Sequence, residues 1–157
     1  MRLFFAAWPP AGTAEGLARW AREAQRESGG RAVPAQNIHL TLAFLGEADA
    51  AAARVLGASV RRAPTSFRVE EARFWAHNRI LWAGPRETPP ALAALAHALG
   101  ERRPFAAHVT LVRRARHGRR LPPLEVLDWP VDGFSLVSST LAPAGPSYGV
   151  LERYALE

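Results

Sequence analysis

Asn37-Ile38-His39-Leu40-Thr41-Leu42-Ala43-Phe44-Leu45-Gly46 decides how this chain is read. Ile38, Leu40, Leu42 and Phe44 alternate at the period of a half-buried strand, so one face meets a core. His39, Thr41 and Ala43 then share the opposite face. A second stretch, Phe105-Ala106-Ala107-His108-Val109-Thr110-Leu111-Val112, has the same form. Its Ala107, Val109 and Leu111 point one way, while His108, Thr110 and Val112 point the other. Five His and six Thr among 157 residues would yield only about 0.2 His-x-Thr triplets by chance. Two in matched settings mark a repeat.

Working outward, each motif strand follows a strand and a helix. Arg2 to Trp8 reads as a short buried strand. Thr13 is placed to cap a helix with Leu17, Trp20, Ala21 and Ala24 at helical spacing, ending near Gly29-Gly30. Asp49 opens an Ala-rich helix to about Val60, and Phe67–Phe74 and Arg79–Ala83 read as paired strands joined near His77-Asn78. Thr88-Pro89 starts a helix with Leu92, Leu95, Ala96 and Leu99 inward. Phe134–Leu141 and Tyr148–Leu156 supply closing strands around a Pro143-Ala144-Gly145-Pro146 turn. His39 follows Trp8 by 31 residues and His108 follows Trp82 by 26. The expectation is two similar lobes related by a rough two-fold. With no long linker between them, they form one two-lobed domain over residues 1–157.

Composition narrows the chemistry. The absence of Cys excludes disulfides, thiolate nucleophiles and Cys-ligated metal sites. The apolar Leu3–Trp8 run is stopped by Pro9-Pro10, short of a signal-peptide core, and nothing approaches a membrane span. A soluble cytoplasmic protein, without a membrane or obligatory protein partner and monomeric, is expected. All 20 basic residues are Arg, against 14 acids, giving net +6. That balance favours phosphate-bearing partners.

Two imidazoles with unperturbed pKa near ~6.5 can hold opposite protonation states around neutrality. Facing each other across a cleft, one is a general base and the other a general acid for in-line displacement at phosphorus. The residues alone leave open which is which. Thr41 and Thr110 would donate to the non-bridging phosphate oxygens. Arg113, five residues past His108, stands at the mouth of that cleft, where a guanidinium binds phosphate bidentately. It begins the run Arg113-Arg114-Ala115-Arg116-His117-Gly118-Arg119-Arg120, whose other arginines form an outer surface for an RNA backbone. His77, His97 and His117 read as exposed or structural, and no His-Glu-x-x-His or carboxylate cluster supplies a metal site. One of the aromatics at the cleft edge could stack on a base, but the sequence does not single it out.

With these residues in hand, the chain resembles the bacterial 2′-5′ RNA ligase-like proteins, RNA 2′,3′-cyclic phosphodiesterases of the two-histidine phosphoesterase superfamily. The resemblance rests on Arg2–Ala6, on Asn37–Glu47, on Phe105–Arg113, and on the region of Ser138-Ser139 and Tyr148. It implies an α+β fold of two pseudo-symmetric lobes, each an antiparallel sheet with outer helices, around a central cleft. It implies hydrolysis of a terminal 2′,3′-cyclic phosphate to a 2′-phosphate without metal or cofactor, and a reversible 2′-5′ ligation. His39 is then the proton donor and His108 the acceptor, with Thr41, Thr110 and Arg113 on the phosphate. RNA ends or nucleotides bearing the cyclic phosphate are the implied partners. One departure is visible: the family usually has Pro before the second motif, where this chain has Ala107, which leaves φ freer there. Two alternatives stand beside this reading. One is a non-catalytic basic RNA-binding module on the same scaffold. The other is a phosphodiesterase for 2′-5′ oligonucleotides or for cyclic phosphates on nucleotide-sugars.

Overall fold

A computed structural model describes all residues, Met1–Glu157. Two four-stranded antiparallel sheets carry the molecule. The first has strand order β10-β9-β1-β3, from Gly145–Ala155, Gly133–Ala142, Arg2–Ala7 and Leu40–Glu47. The second has order β2-β7-β6-β5, from Arg31–Ala32, Val109–Arg113, Ile80–Gly84 and Glu71–Trp75. A separate two-stranded ribbon pairs β4 (Thr65–Val69) with β8 (Leu127–Val131), where Phe67 stacks on the fully buried Trp129. Three antiparallel strands of each sheet correspond, β9-β1-β3 to β5-β6-β7, and each sheet then gains one extra strand on the opposite side.

The halves are interlaced. The helix α1 (Ala11–Ser28), from the first repeat, packs on β7 and β2 of the second sheet. The helix α3 (Pro90–Ala98), from the second repeat, packs on β3 of the first. The helix α2 (Ala50–Ser59) covers β9 and β10. Leu17, Trp20, Ala21 and Ala24 of α1 are buried, as are Leu92, Leu95 and Ala96 of α3 and Leu99 just beyond it. All of these except Ala96 join one continuous hydrophobic core that runs behind both sheets. A smaller cluster, Phe4, Ala6 and Val137, lies on the other face of β1 beneath Trp8 and Tyr148. Both faces of β1 are therefore covered, which is why Leu3–Ala7 is an unbroken apolar run.

Several local expectations are corrected. The first helix starts at Ala11 behind Pro10, whose φ of −57° already suits a helical start, so Thr13 lies buried in the first turn and caps nothing. Asp49 does cap α2, its carboxylate accepting from the Ala52 N–H at 3.1 Å. The segment Phe67–Phe74 is two strands in different sheets, broken at Glu70, whose N–H turns aside to the Gly84 carbonyl.

The largest correction concerns the motif strands themselves. Along β3, Ala6 pairs with Thr41 and Phe5 with Ala43, which leaves Leu42 as an extra residue. Along β7, Trp82 pairs with Thr110 and Leu81 with Val112, which leaves Leu111 as an extra residue. The same β-bulge thus follows both threonines, and it reverses the in–out alternation beyond it. Ala43 and Val112, read as cleft-facing, are fully buried in the core. Phe44, read as core, is 52% exposed. The register also makes Ala6, rather than Trp8, the counterpart of Trp82.

Candidate active site

Each motif histidine sits one residue before its strand and is held by the same contact. His39 Nδ1–H donates to the Asn37 carbonyl at 2.7 Å, and His108 Nδ1–H donates to the Ala106 carbonyl at 2.9 Å. A carbonyl only accepts, so it assigns the proton to Nδ1 and leaves Nε2 of each ring as the reacting atom. The Asn37 carbonyl is itself fixed by a 3-10 turn over Ala35–Asn37. Thr41 Oγ1 lies 3.0 Å from His39 Nε2 and donates to it when the ring is neutral.

The environments of the two rings differ. His39 is packed among Phe4, Trp8 and Tyr148, with ring centroids 5.1, 5.6 and 5.2 Å away. That burial, helped by the positive charges of Arg113 and His108 and opposed by the Asn37 carbonyl, lowers its pKa to about 4. His108 leans on Trp75 at 4.6 Å and on Trp82 at 6.3 Å. Burial lowers its pKa too, against the pull of the Ala106 carbonyl. At neutral pH both rings are therefore uncharged, and an anion entering between them would raise both.

A cleft of about 540 Å³ opens between the sheets. His39, Thr41, Thr110 and Arg113 line it, so four of the five expected residues share one cavity. His108 lies beside this cavity rather than in its wall, near enough for its charge to act on His39. The bulge at Leu111 explains Arg113: on a regular strand it would point into the core with Val109 and Leu111, and the reversal turns it to the cleft. Phe44, three residues past Thr41 as Arg113 is past Thr110, is brought to the cleft wall in the same way. No group of three His, Asp or Glu side chains is arranged to hold a metal ion. His97 bonds the Arg103 carbonyl at 3.0 Å, His117 accepts from the Arg119 N–H at 3.3 Å, and His77 sits against Trp75, all three outside the cleft lining.

Residues 8–82 match the LigT-like phosphoesterase family. The RNA 2′,3′-cyclic phosphodiesterase of Escherichia coli (strain K12) is 35% identical, over 99% of this chain and 96% of its own length. That of Thermus thermophilus is 34% identical, over 99% and 90%. The chain belongs to this family. A solved structure of E. coli LigT complexed with 3′-AMP superimposes with a TM-score of 0.89 at 34% identity, covering 99% of this chain and 97% of that one. The α+β fold is that of the family, and the chain is a phosphodiesterase by membership.

Within this LigT-like site, several residues went unread in the sequence. Strict alternation puts Phe44 in the core, because nothing in residue preference marks a bulge. Arg2 lies over the Phe44 ring, 5.4 Å from its centroid, and lines the cleft with it. Arg31 reaches the cleft only because β2 crosses to pair with β7, a long-range register with no local signal. Tyr148 lines the cleft from β10 and edges against His39. Of the basic run, Arg113 and Arg114 line the cleft, while Arg116, Arg119 and Arg120 are exposed outside it. Ala107, where the family usually has Pro, donates its N–H to Thr88 Oγ1 at 2.9 Å, so the strand start is tied rather than loose.

Proposed function

We propose that this chain hydrolyses the terminal 2′,3′-cyclic phosphate of RNA to a 2′-phosphate. The observation that carries the reading is the doubled latch: two histidines, each fixed through Nδ1 by the carbonyl two residues earlier, with both threonines and Arg113 in one acid-free cleft. His108 Nε2 takes a proton from water as its oxygen attacks phosphorus. The P–O3′ bond breaks, and His39 Nε2–H delivers a proton to the departing 3′-oxygen, leaving the phosphate on O2′. His39 must carry a second proton for this step. Burial and the positive charge of Arg113 disfavour it, and the anionic substrate offsets both. Once the ring is charged, the Thr41 hydroxyl no longer donates to Nε2 and turns to a phosphate oxygen, as Thr110 does from the other wall. Arg113 neutralises the charge developing on the non-bridging oxygens. A 5′-hydroxyl in place of water would attack in the same direction, release the same 3′-oxygen and join the ends through a 2′-5′ linkage.

No step calls for a metal, and the residues supply both proton transfers, so the reaction proceeds unchanged in EDTA. The partners are RNA ends or nucleotides bearing the cyclic phosphate, met by a single-domain monomer in the cytoplasm. No helix is long and apolar enough to cross a membrane. The test is incubation with 2′,3′-cyclic nucleotides in EDTA, resolving 2′- from 3′-phosphate. A 2′-phosphate is expected. A 3′-phosphate would reverse the leaving oxygen, and no turnover of any cyclic-phosphate substrate would leave an RNA-binding module, recognised by affinity that falls steeply with salt.

A further inference from the structure

The cleft holds more positive charge than one cyclic phosphate requires. Arg31 is the antiparallel partner of Arg113, so two guanidinium side chains leave adjacent strands on one face, where opposed like charges weaken a sheet. Arg114 follows with φ of 57°, a left-handed backbone that costs free energy in any residue with a Cβ. Gly30, at φ of 84°, is pressed against this corner: a Cβ there would collide with the carbonyl oxygens of Arg113 and Arg114. No carboxylate pairs with Arg31, Arg113 or Arg114 within 4.0 Å, and no Asp or Glu lines the cleft. The one hydrogen bond Arg31 makes through its side chain is a long one, from Nη2 to the Pro143 carbonyl at 3.4 Å. Three cations are thus gathered at the cost of repulsion and backbone strain, with no acid in the protein to balance them. The balancing anion arrives with the ligand.

A cyclic phosphate is a monoanion, and Arg113 with the two threonines accounts for it. We infer that Arg31 and Arg114 bind a second phosphate, the one on the 5′-oxygen of the nucleoside that carries the cyclic phosphate. The enzyme is thereby selective for RNA ends over bare cyclic mononucleotides. The inference rests on the reading of His39 and His108 as the reacting pair.

Three substrates separate the possibilities: a 2′,3′-cyclic nucleoside phosphate with a free 5′-hydroxyl, the same compound with a 5′-phosphate, and a dinucleotide ending in the cyclic phosphate. The second and third are expected to exceed the first in kcat/KM by about tenfold, the scale of one or two charge-assisted hydrogen bonds. The ratio of second to first should fall toward one in Arg31→Gln and in Arg114→Gly. Glycine accepts the left-handed backbone, so the latter keeps or raises Tm and a folding defect cannot mimic the result. An unchanged ratio in both variants overturns the inference. So does a gain shown only by the dinucleotide, since that gain comes from the extra nucleoside and not from the phosphate. Absence of turnover on all three by the wild type overturns the reaction itself, a different failure from equal turnover of all three.

Discussion

The two walls of the cleft are built alike and tuned apart. On each side, a histidine is latched by the carbonyl two residues back, a threonine follows, and a bulge directly after it turns the residue at the next-but-two position into the cleft. Yet His39 is packed among three aromatic rings with Thr41 on its Nε2, whereas His108 rests against Trp75 and Trp82 with no protein hydrogen bond to its Nε2. The residue swung in by the bulge is Phe44 on one wall and Arg113 on the other. Repetition secured the placement of the groups, and divergent packing gives the two rings different surroundings, the condition under which two like groups can take opposite roles.

The largest expected effect tests that separation directly. His39→Ala and His108→Ala should each lower kcat by about 10³-fold or more, within the range for loss of a positioned acid or base. The residual activities should differ in shape. Without the base His108, the acid limb of the kcat–pH profile disappears, and without the acid His39, the alkaline limb disappears. Exchange of the two limbs between the variants would assign the roles the other way round.

Next comes the contrast between the swung-in residues. Arg113→Gln should cost about 10²-fold in kcat/KM, because it removes charge stabilisation where the transition state gathers charge. Phe44→Ala should raise KM by a few-fold and leave kcat near wild type, because an exposed aromatic on the wall offers only a stacking face to the base. Equal losses in the two variants would mean that the walls share phosphate binding evenly.

How much of this was legible follows the same geometry. His39, Thr41, His108 and Thr110 stood out because a period of two, repeated, places them on matching faces before any bulge intervenes. Nearness to His108 puts Arg113 at the cleft, while strict alternation along the strand buries it. The same alternation did mislead for Phe44, Ala43 and Val112, since one inserted residue reverses every side chain after it and has no compositional mark. The interlaced packing of α1 and α3 on each other's sheets, and the arrival of Arg31 through β2, depend on pairings between distant segments that periodicity cannot express.

The aromatic packing around His39 should also be visible in stability. Its pKa of about 4 in the folded chain lies below the ordinary 6.5, so the folded state binds fewer protons than the unfolded one between those values. The neutral ring's contribution is whole above pH 6.5 and is lost as pH falls toward 4, on the order of 2–3 kcal/mol. Replacement by a group that does not titrate, His39→Gln, should flatten the fall in Tm between pH 7 and 4.5. His108→Gln should flatten it less, the Trp75–Trp82 side being the more open. Equal flattening would show that the two rings are buried alike, whatever the surrounding aromatics.

The smallest effect concerns what precedes each histidine. Ile38 gives its N–H to the Ala35 carbonyl at 3.2 Å, within the turn that aims His39. Ala107 has no such turn before it and uses the Thr88 hydroxyl instead. Thr88→Val keeps the side-chain shape and leaves the Ala107 N–H without a partner, so it should cost about 1 kcal/mol and lower kcat a few-fold as His108 loosens. Ala107→Pro in the same background has no N–H to leave unpaired and fixes φ before the strand. The double variant should therefore regain part of both losses, although Ala107→Pro alone, which strands the Thr88 hydroxyl, gains nothing. Additive losses in this cycle would mean that Thr88 and Ala107 act on His108 separately, and that the second wall is aimed by something other than this one hydrogen bond.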